Sequence, residues 1–236
     1  MGAVPALDRL LALLEAGPPD AHCVFNPWKD HDERDHAPRR EAPRARRENF
    51  AAYVRTRESH ARVMLLGEAP SHRGCRFTGI PFCSEVEMAH KRSLVARKPL
   101  RATSVDHEAA PMSERSAAIL WDEMDRAGCT REVLLWNAFP WHPYHAEGSQ
   151  AGKPCGPCSN RKPRLPEVAA GKASFEALLA CCSHPLAVFA VGKVAEEALR
   201  RWGAPCAGYI RHPSHGGEAQ FRAQFRKDAL AILEAR

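Results

Sequence analysis

No stretch of this sequence is both long and free of charge, so no membrane crossing is expected. Its most leader-like segment, the opening MGAVPALDRLLALLEAG, carries Asp8, Arg9 and Glu15 inside the apolar pattern and reads as an amphipathic helix, not a signal peptide. Internal repeats and low-complexity tracts are missing too, which argues against a solenoid or array. A disulfide framework is equally unsupported: the nine cysteines are an odd number scattered over core-like and loop-like positions, a usage that fits reduced thiols in a cytoplasm. Nor does charge of one sign dominate. The 34 Lys and Arg against 28 Asp and Glu leave a net +6 and a pI near 8.9, compatible with a polyanionic partner without requiring one.

What is present is enough apolar material, 44% of 236 residues, for one substantial core, and we read one domain over residues 1–236. Four short apolar runs stand out: RVMLL at 62–66, EVLLWN at 132–137, LAVFAV at 186–191 and CAGYI at 206–210. They are nearly continuous, not alternating, which suits strands covered on both faces. Helical patterns separate and follow them, at 113–128, 165–182, 193–203 and from Glu218 to the end. This alternation predicts an α/β fold, a three-layer α/β/α sandwich around a central four-stranded parallel sheet. Residues 22–60 read as an irregular, charged excursion plus a helix before the first sheet strand. Within it Arg39, Arg40, Arg44, Arg46 and Arg47 are candidates for phosphate contact or, each by itself, for a solvated loop. The basic segment at 91–104 reads equally as a groove lining and as a plain surface loop.

In an open parallel sheet ligands gather beyond the carboxyl ends of the strands, where loop amides and helix amino termini converge. The polar residues of this chain obey that rule. The first run ends in Gly67-Glu68-Ala69-Pro70, the second in Asn137 followed by AFPWHPYH, the third in Gly192-Lys193 and the fourth in RHPSHGG. Gly67 permits a sharp turn and a close backbone approach, and Pro70 fixes the bend that follows, so the amides around Ala69 and Ser71 can face a ligand. Alone, GEAP reads as a tight turn. Phe82, held by Ile80-Pro81, offers a face on which a flat heterocycle can stack, whereas neighbouring Phe77 reads as core. Asn137 carries both an amide donor pair and a carbonyl, and so can pair with the donor–acceptor edge of a flat polar heterocycle in either orientation of the amide; capping of the next loop is its plainer role.

These motifs, in this order, resemble the uracil-DNA glycosylase superfamily: GEAPS followed by GIPF, VLLWNAFP, NRKPRLPEV at 160–168 and HPSH, together spanning about residues 60–216. The third match is to the iron-sulfur branch of that family. The resemblance implies a uracil-DNA glycosylase-like fold and a monofunctional DNA N-glycosylase that flips out uracil or another modified pyrimidine and leaves an abasic site. It implies catalytic roles for Glu68, His212 and Asn137, and base binding by Gly67, Ala69, Pro70, Ser71, Phe82 and Asn137. Contact with DNA is expected of Ser214, His215, Arg211 and Lys193, with His215 the bulky candidate for the wedge. A fixed donor at His212 aimed at O2 helps most in the transition state, when negative charge builds on the departing base.

Departures from the family pattern sharpen the expectations. Ala69 stands where the best-known branch has a water-orienting Asp, which makes Glu68 the first substitute and Glu85 the second. Ser71 replaces a bulky Tyr that excludes 5-substituted pyrimidines, which opens space beside C5. Only Cys23 precedes the first motif, and Gly171 stands near the position of a later cluster cysteine, so no iron-sulfur cluster is expected. Cys155 and Cys158 have metal-ligand spacing but supply two ligands where structural zinc needs four, with Cys181, Cys182 and His145 as conceivable partners. We therefore expect no cofactor and no metal, a monomer, a cytoplasmic setting and DNA as the partner. Excision of uracil would suit genome repair; excision of a bulkier base would suit defence against phage with altered DNA. The rival readings are a base-binding protein that does not cut and, further off, a redox or metal protein built on CGPC.

Overall fold

The computed structural model describes residues 5–36, 40–91, 94–95, 100–104, 108–149 and 154–235. The four apolar runs form the parallel strands β2 (Val63–Gly67), β3 (Val133–Asn137), β5 (Ala187–Val191) and β6 (Gly208–Ile210), in the order β3-β2-β5-β6. Every residue of β2 and β3 is buried, as expected of strands covered by helices on both faces. The sheet is the middle layer of a three-layer α/β/α sandwich. Chain order runs from β2 outward to β3, then returns across β2 to β5 and on to β6. The reversal places a switch point beyond the carboxyl ends of β2 and β5, where a crevice is expected.

Register fixes what meets there. Gly67 pairs with Asn137, and Val191 with Ile210. Past the strands the ladder continues, Ala138 N–H donating to Gly67 O at 2.8 Å and Phe139 N–H to Glu68 O at 3.0 Å, so the turn after β2 and the turn after β3 are tied together.

The helices follow the apolar spacing. Helix α1 (Ala6–Ala16) buries Leu7, Leu10 and Leu14, and α7 (Lys193–Trp202) buries Ala195, Ala198, Leu199 and Trp202, both at three- and four-residue steps. Helix α2 (Glu41–Arg57) leads into β2; short α3 (Cys75–Thr78) and α4 (Glu85–His90) precede α5 (Arg115–Arg126); and α6 (Leu165–Leu179) lies between β3 and β5. The closing helix is α8 (Glu218–Gln224), which passes through a π-helical stretch, Phe225–Leu230, into α9 (Ala231–Glu234).

Residues 22–36 hold more structure than an irregular excursion: β1 (Val24–Phe25) pairs antiparallel with β4 (His142–Pro143). Arg46 is not a phosphate contact. It is fully buried, ion-paired to Asp35 at 2.8 Å and bonded to the carbonyls of Pro27 and Asp30, so its guanidinium fastens this segment to α2. Arg47 reaches Glu15 and the Trp28 carbonyl, and exposed Arg44 lies near Glu41 and Glu48. Arg39 and residues 92–93 and 96–99 of the basic stretch fall outside the described residues. Phe77 is core, as its setting suggested.

Candidate active site

A cleft of about 590 Å³ opens beyond the carboxyl ends of β2, β5 and β6. Its walls include Glu68, Ala69, Pro70, Ser71 and Phe82, the start of α7 at Gly192 and Lys193, and Arg211, His212, Ser214 and His215. All of these were singled out in the sequence. Asn137 does not line the cleft; it is buried, 2% exposed, at the end of β3 opposite Gly67.

Gly67 is the pivot. A methyl carbon built there would fall 2.0 Å from Phe82 Cζ and 3.0 Å from Asn137 Oδ1, so the ring edge and the amide meet over a bare Cα. The Phe82 ring centroid is 6.4 Å from that of His212. The Phe82 ring edge and the Asn137 amide thus meet at Gly67, and the His212 imidazole lies beside the same ring. Phe82 adopts a left-handed backbone, φ 50°, and Trp121 Nε1 of α5 donates to its carbonyl at 2.8 Å, which fixes where the ring hangs.

The tautomer of His212 follows from its neighbours. Nδ1 lies 2.7 Å from Ser214 Oγ and accepts from the Ser214 backbone N–H at 3.2 Å. A backbone N–H only donates, so Nδ1 carries the lone pair and the neutral ring holds its proton on Nε2. Burial, with Arg211 and His215 alongside, pushes the pKa down to about 4. The ring is thus a neutral donor at physiological pH. Ser214, read in the sequence as a DNA contact, has its hydroxyl against this histidine.

Glu68 stands half-buried in the wall. Burial holds its carboxyl above the ordinary range, with Lys162 pulling the other way. Glu85, the second candidate for orienting water, is excluded by position: it is buried, accepts from the Ser104 amide and hydroxyl and from the Met112 amide, and borders a separate cavity with His36 and Glu41. Lys193 lines the cleft at the α7 amino terminus, although its ammonium is 2.8 Å from Glu196 and lies over the Tyr209 ring. Exposed His215, φ 52°, sits at the tip of the loop before Gly216.

The NRKPRLPEV segment works as a clamp. Asn160 Oδ1 accepts from the His72 amide at 2.8 Å, which ties it to the turn after β2. Arg161 forks onto both Glu167 oxygens at the start of α6. Burial alone would raise the Glu167 pKa, but the bonds from Arg161 and Arg164 outweigh it and hold the carboxyl at about 2. Gly171, on the same helix, rests on the backbone after Asn137: a Cβ there would fall 1.8 Å from the Ala138 carbonyl oxygen, so a cysteine at this position has no room. Cys155 and Cys158 flank Gly156, φ 65°, in a loop where Gly156 N–H donates to His145 O. Among the described residues no group of three or more His, Cys, Asp or Glu is placed to hold a metal ion.

Two residues that shape the site, among others, escaped the sequence reading. Buried His142 lies between two carbonyls, Nδ1 3.0 Å from Pro70 O and Nε2 3.2 Å from Pro157 O, and burial lowers its pKa to about 4, so a neutral ring bridges the turn after β2 to the loop at Pro157. The Pro157 carbonyl also accepts from Arg76. Glu114 lines the cleft, accepting from Ser71 Oγ at 2.9 Å and from Ser116 Oγ. It stands just before α5 in a stretch that reads simply as helix; only contact with a residue far along the chain marks it.

Comparison with the curated proteins gives no match. Among solved structures, the wild-type SMUG2 of Pedobacter heparinus superposes with a TM-score of 0.65 at 14% identity, over 99% of this chain and 100% of that one, a likeness of fold. The family model described as the uracil DNA glycosylase superfamily matches residues 55–234, a span that takes in all four sheet strands and every wall of the cleft. This chain belongs to the uracil DNA glycosylase superfamily.

Proposed function

We propose that the protein is a monofunctional DNA N-glycosylase that everts uracil or another modified pyrimidine from DNA, cuts its N-glycosidic bond and leaves an abasic site. The observation that carries this reading is the meeting of the Phe82 ring and the Asn137 amide at Gly67, with the imidazole of a neutral His212 beside the same ring. In the reading, the base stacks on Phe82 and is paired by Asn137, over a cradle formed by Gly67, Ala69, Pro70 and Ser71. His212 donates to O2. That donor matters most as the bond breaks, because the electron pair passes to the base while the sugar becomes cationic. Glu68 orients the water that captures the sugar. The amino terminus of α7, opening at Gly192 and Lys193, adds positive potential beside the leaving anion. Arg211, Lys193 and Ser214 border the DNA path, and His215 enters the space vacated by the everted nucleotide, whose unstacking costs a few kcal/mol. Repair of uracil or removal of bulkier bases from foreign DNA follows from which base is cut.

The test is single-turnover excision from oligonucleotides carrying uracil, 5-substituted pyrimidines or hypoxanthine, followed by alkali. Base loss that disappears in His212→Ala and Asn137→Ala supports the reading. Binding without base loss from any of these substrates refutes it in favour of recognition without cutting.

A further inference from the structure

Five of the nine thiols are held back by their surroundings: burial pushes up the pKa of Cys75, Cys83, Cys129, Cys181 and Cys182. The CGPC pair is placed differently. Cys158 is exposed, Cys155 is half-buried, and both are free. Between them the chain bends at Gly156, φ 65°, and Ser159 N–H donates to Gly156 O at 3.0 Å, so the two cysteines, three residues apart, share one turn of backbone. Arg34 Nη1 donates to Cys158 Sγ at 3.7 Å, and the buried Arg76 guanidinium interacts with the same sulfur. Cysteine chemistry concentrates at partly exposed sulfurs in electropositive settings of this kind.

The same loop holds the wall of the cleft. Pro157 O accepts from Arg76 and lies 3.2 Å from His142 Nε2, whose Nδ1 is 3.0 Å from Pro70 O. Asn160, two residues past Cys158, accepts the His72 amide at 2.8 Å. Pro70 and His72 both border the cleft, in the turn after β2. Backbone between the cysteines and just beyond them thus grips that turn twice.

We propose that Cys155 and Cys158 are a modification site, a dithiol that hydrogen peroxide converts to a disulfide, and that closing the bridge loosens the turn after β2. Cys158 sulfur takes one peroxide oxygen as the O–O bond breaks, which gives a sulfenic acid and releases water. Cys155 sulfur then attacks Cys158 sulfur; the S–S bond forms, the S–O bond breaks and a second water leaves. The two thiols together lose two electrons and two protons, and the peroxide is reduced to two waters. The bridge draws Cys158 off Arg34 and Arg76 and turns Pro157, whose carbonyl is one of the two grips. A thiol reductant reverses the step. None of this depends on whether the cleft cuts DNA.

The test uses the full reduced chain, treated with hydrogen peroxide and then alkylated. Unreduced peptides are weighed, and amide hydrogen exchange is followed across the turn after β2. Cys155 and Cys158 are expected to escape alkylation first, on one peptide lighter by two hydrogens, and to regain it with reductant. The His72 amide, its bond to Asn160 weakened, then exchanges roughly 2- to 10-fold faster. Cys155→Ser should stop Cys158 at the sulfenic acid, trapped by a carbon nucleophile, with His72 exchange unchanged. Arg34→Gln should slow Cys158 oxidation several-fold. A pair that oxidises no faster than exposed Cys206 overturns the site, as does sulfenic acid at Cys158 that Cys155 never resolves. A disulfide that forms and leaves His72 exchange unaltered overturns its coupling to the cleft.

Discussion

Replacing Gly67 by Ala tests the convergence at its narrowest point. The added carbon would stand 2.0 Å from Phe82 Cζ, 2.6 Å from Cε2 and 3.0 Å from Asn137 Oδ1. Real Cβ atoms do not approach closer than about 3.0 Å, so the ring must retreat by at least 1.0 Å, the difference between those two distances. Its backbone cannot supply that movement easily, being left-handed and held by Trp121 at the carbonyl. The side chain must swing towards the cleft, into the space the base would occupy. Loss of one stacking contact is worth about 1–3 kcal/mol, which converts to a fall of roughly 5- to 150-fold in single-turnover excision. Overpacking adds a stability loss of about 1–3 kcal/mol, read as a drop in Tm. Gly128→Ala is the control: its φ is 67° with nothing within 4 Å, so it strains the backbone far from the cleft and costs stability alone. A folded Gly67→Ala protein that excises at the wild-type rate would refute the placement of Phe82 against the base.

Three further outcomes are expected. Excision should show no step from His212 between pH 6 and 8 and should change only as pH drops towards about 4, where Nδ1 takes a proton and can no longer accept from the Ser214 N–H that orients the ring; a single-turnover pH profile with a His212-dependent step near 6.5 contradicts the neutral-donor role. Glu167, held at about 2 against an ordinary 4.5, favours the folded state above pH 4.5 by at most about 3 kcal/mol, and this is lost as pH falls from there to about 2; acid unfolding of Glu167→Gln should begin at higher pH, the partners Arg161 and Arg164 being left without their carboxylate. Gly171→Cys should lower Tm by several degrees without supplying a ligand, since its Cβ meets the Ala138 carbonyl oxygen, a backbone atom that cannot turn aside; an unchanged melt would show that α6 stands off the turn after β3.

Much of this architecture was legible because burial on both faces writes itself as continuous apolar text, as in VMLLG and VLLWN, and because polar residues fall at the ends of those runs. The pairing of β1 with β4 was not, being two residues long and joining segments more than a hundred residues apart. Arg46 misleads for a related reason. A charged residue in a basic stretch is ordinarily exposed, and only its distant partners Asp35, Pro27 and Thr103 make a buried position tolerable. Glu85 and Glu114 form the instructive pair: both are carboxylates near the motif residues in sequence, yet Ser104 and Met112 hold one in a loop junction while Ser71 brings the other into the cleft. Sequence identifies the strand tips; which flanking acid reaches them depends on long-range packing.

Phe82 and His215 share a backbone state that bulky residues seldom enter, at a cost of order 1–3 kcal/mol each. That expense is met when the chain folds, before any nucleic acid arrives. Under the proposed function, an incoming nucleotide would find the aromatic shelf and the loop tip already set, and the energy of contact would be left for prising the strand apart. Part of the discrimination would then fall on how readily a given nucleotide leaves its helix, so weakly paired or mismatched positions would be sampled first.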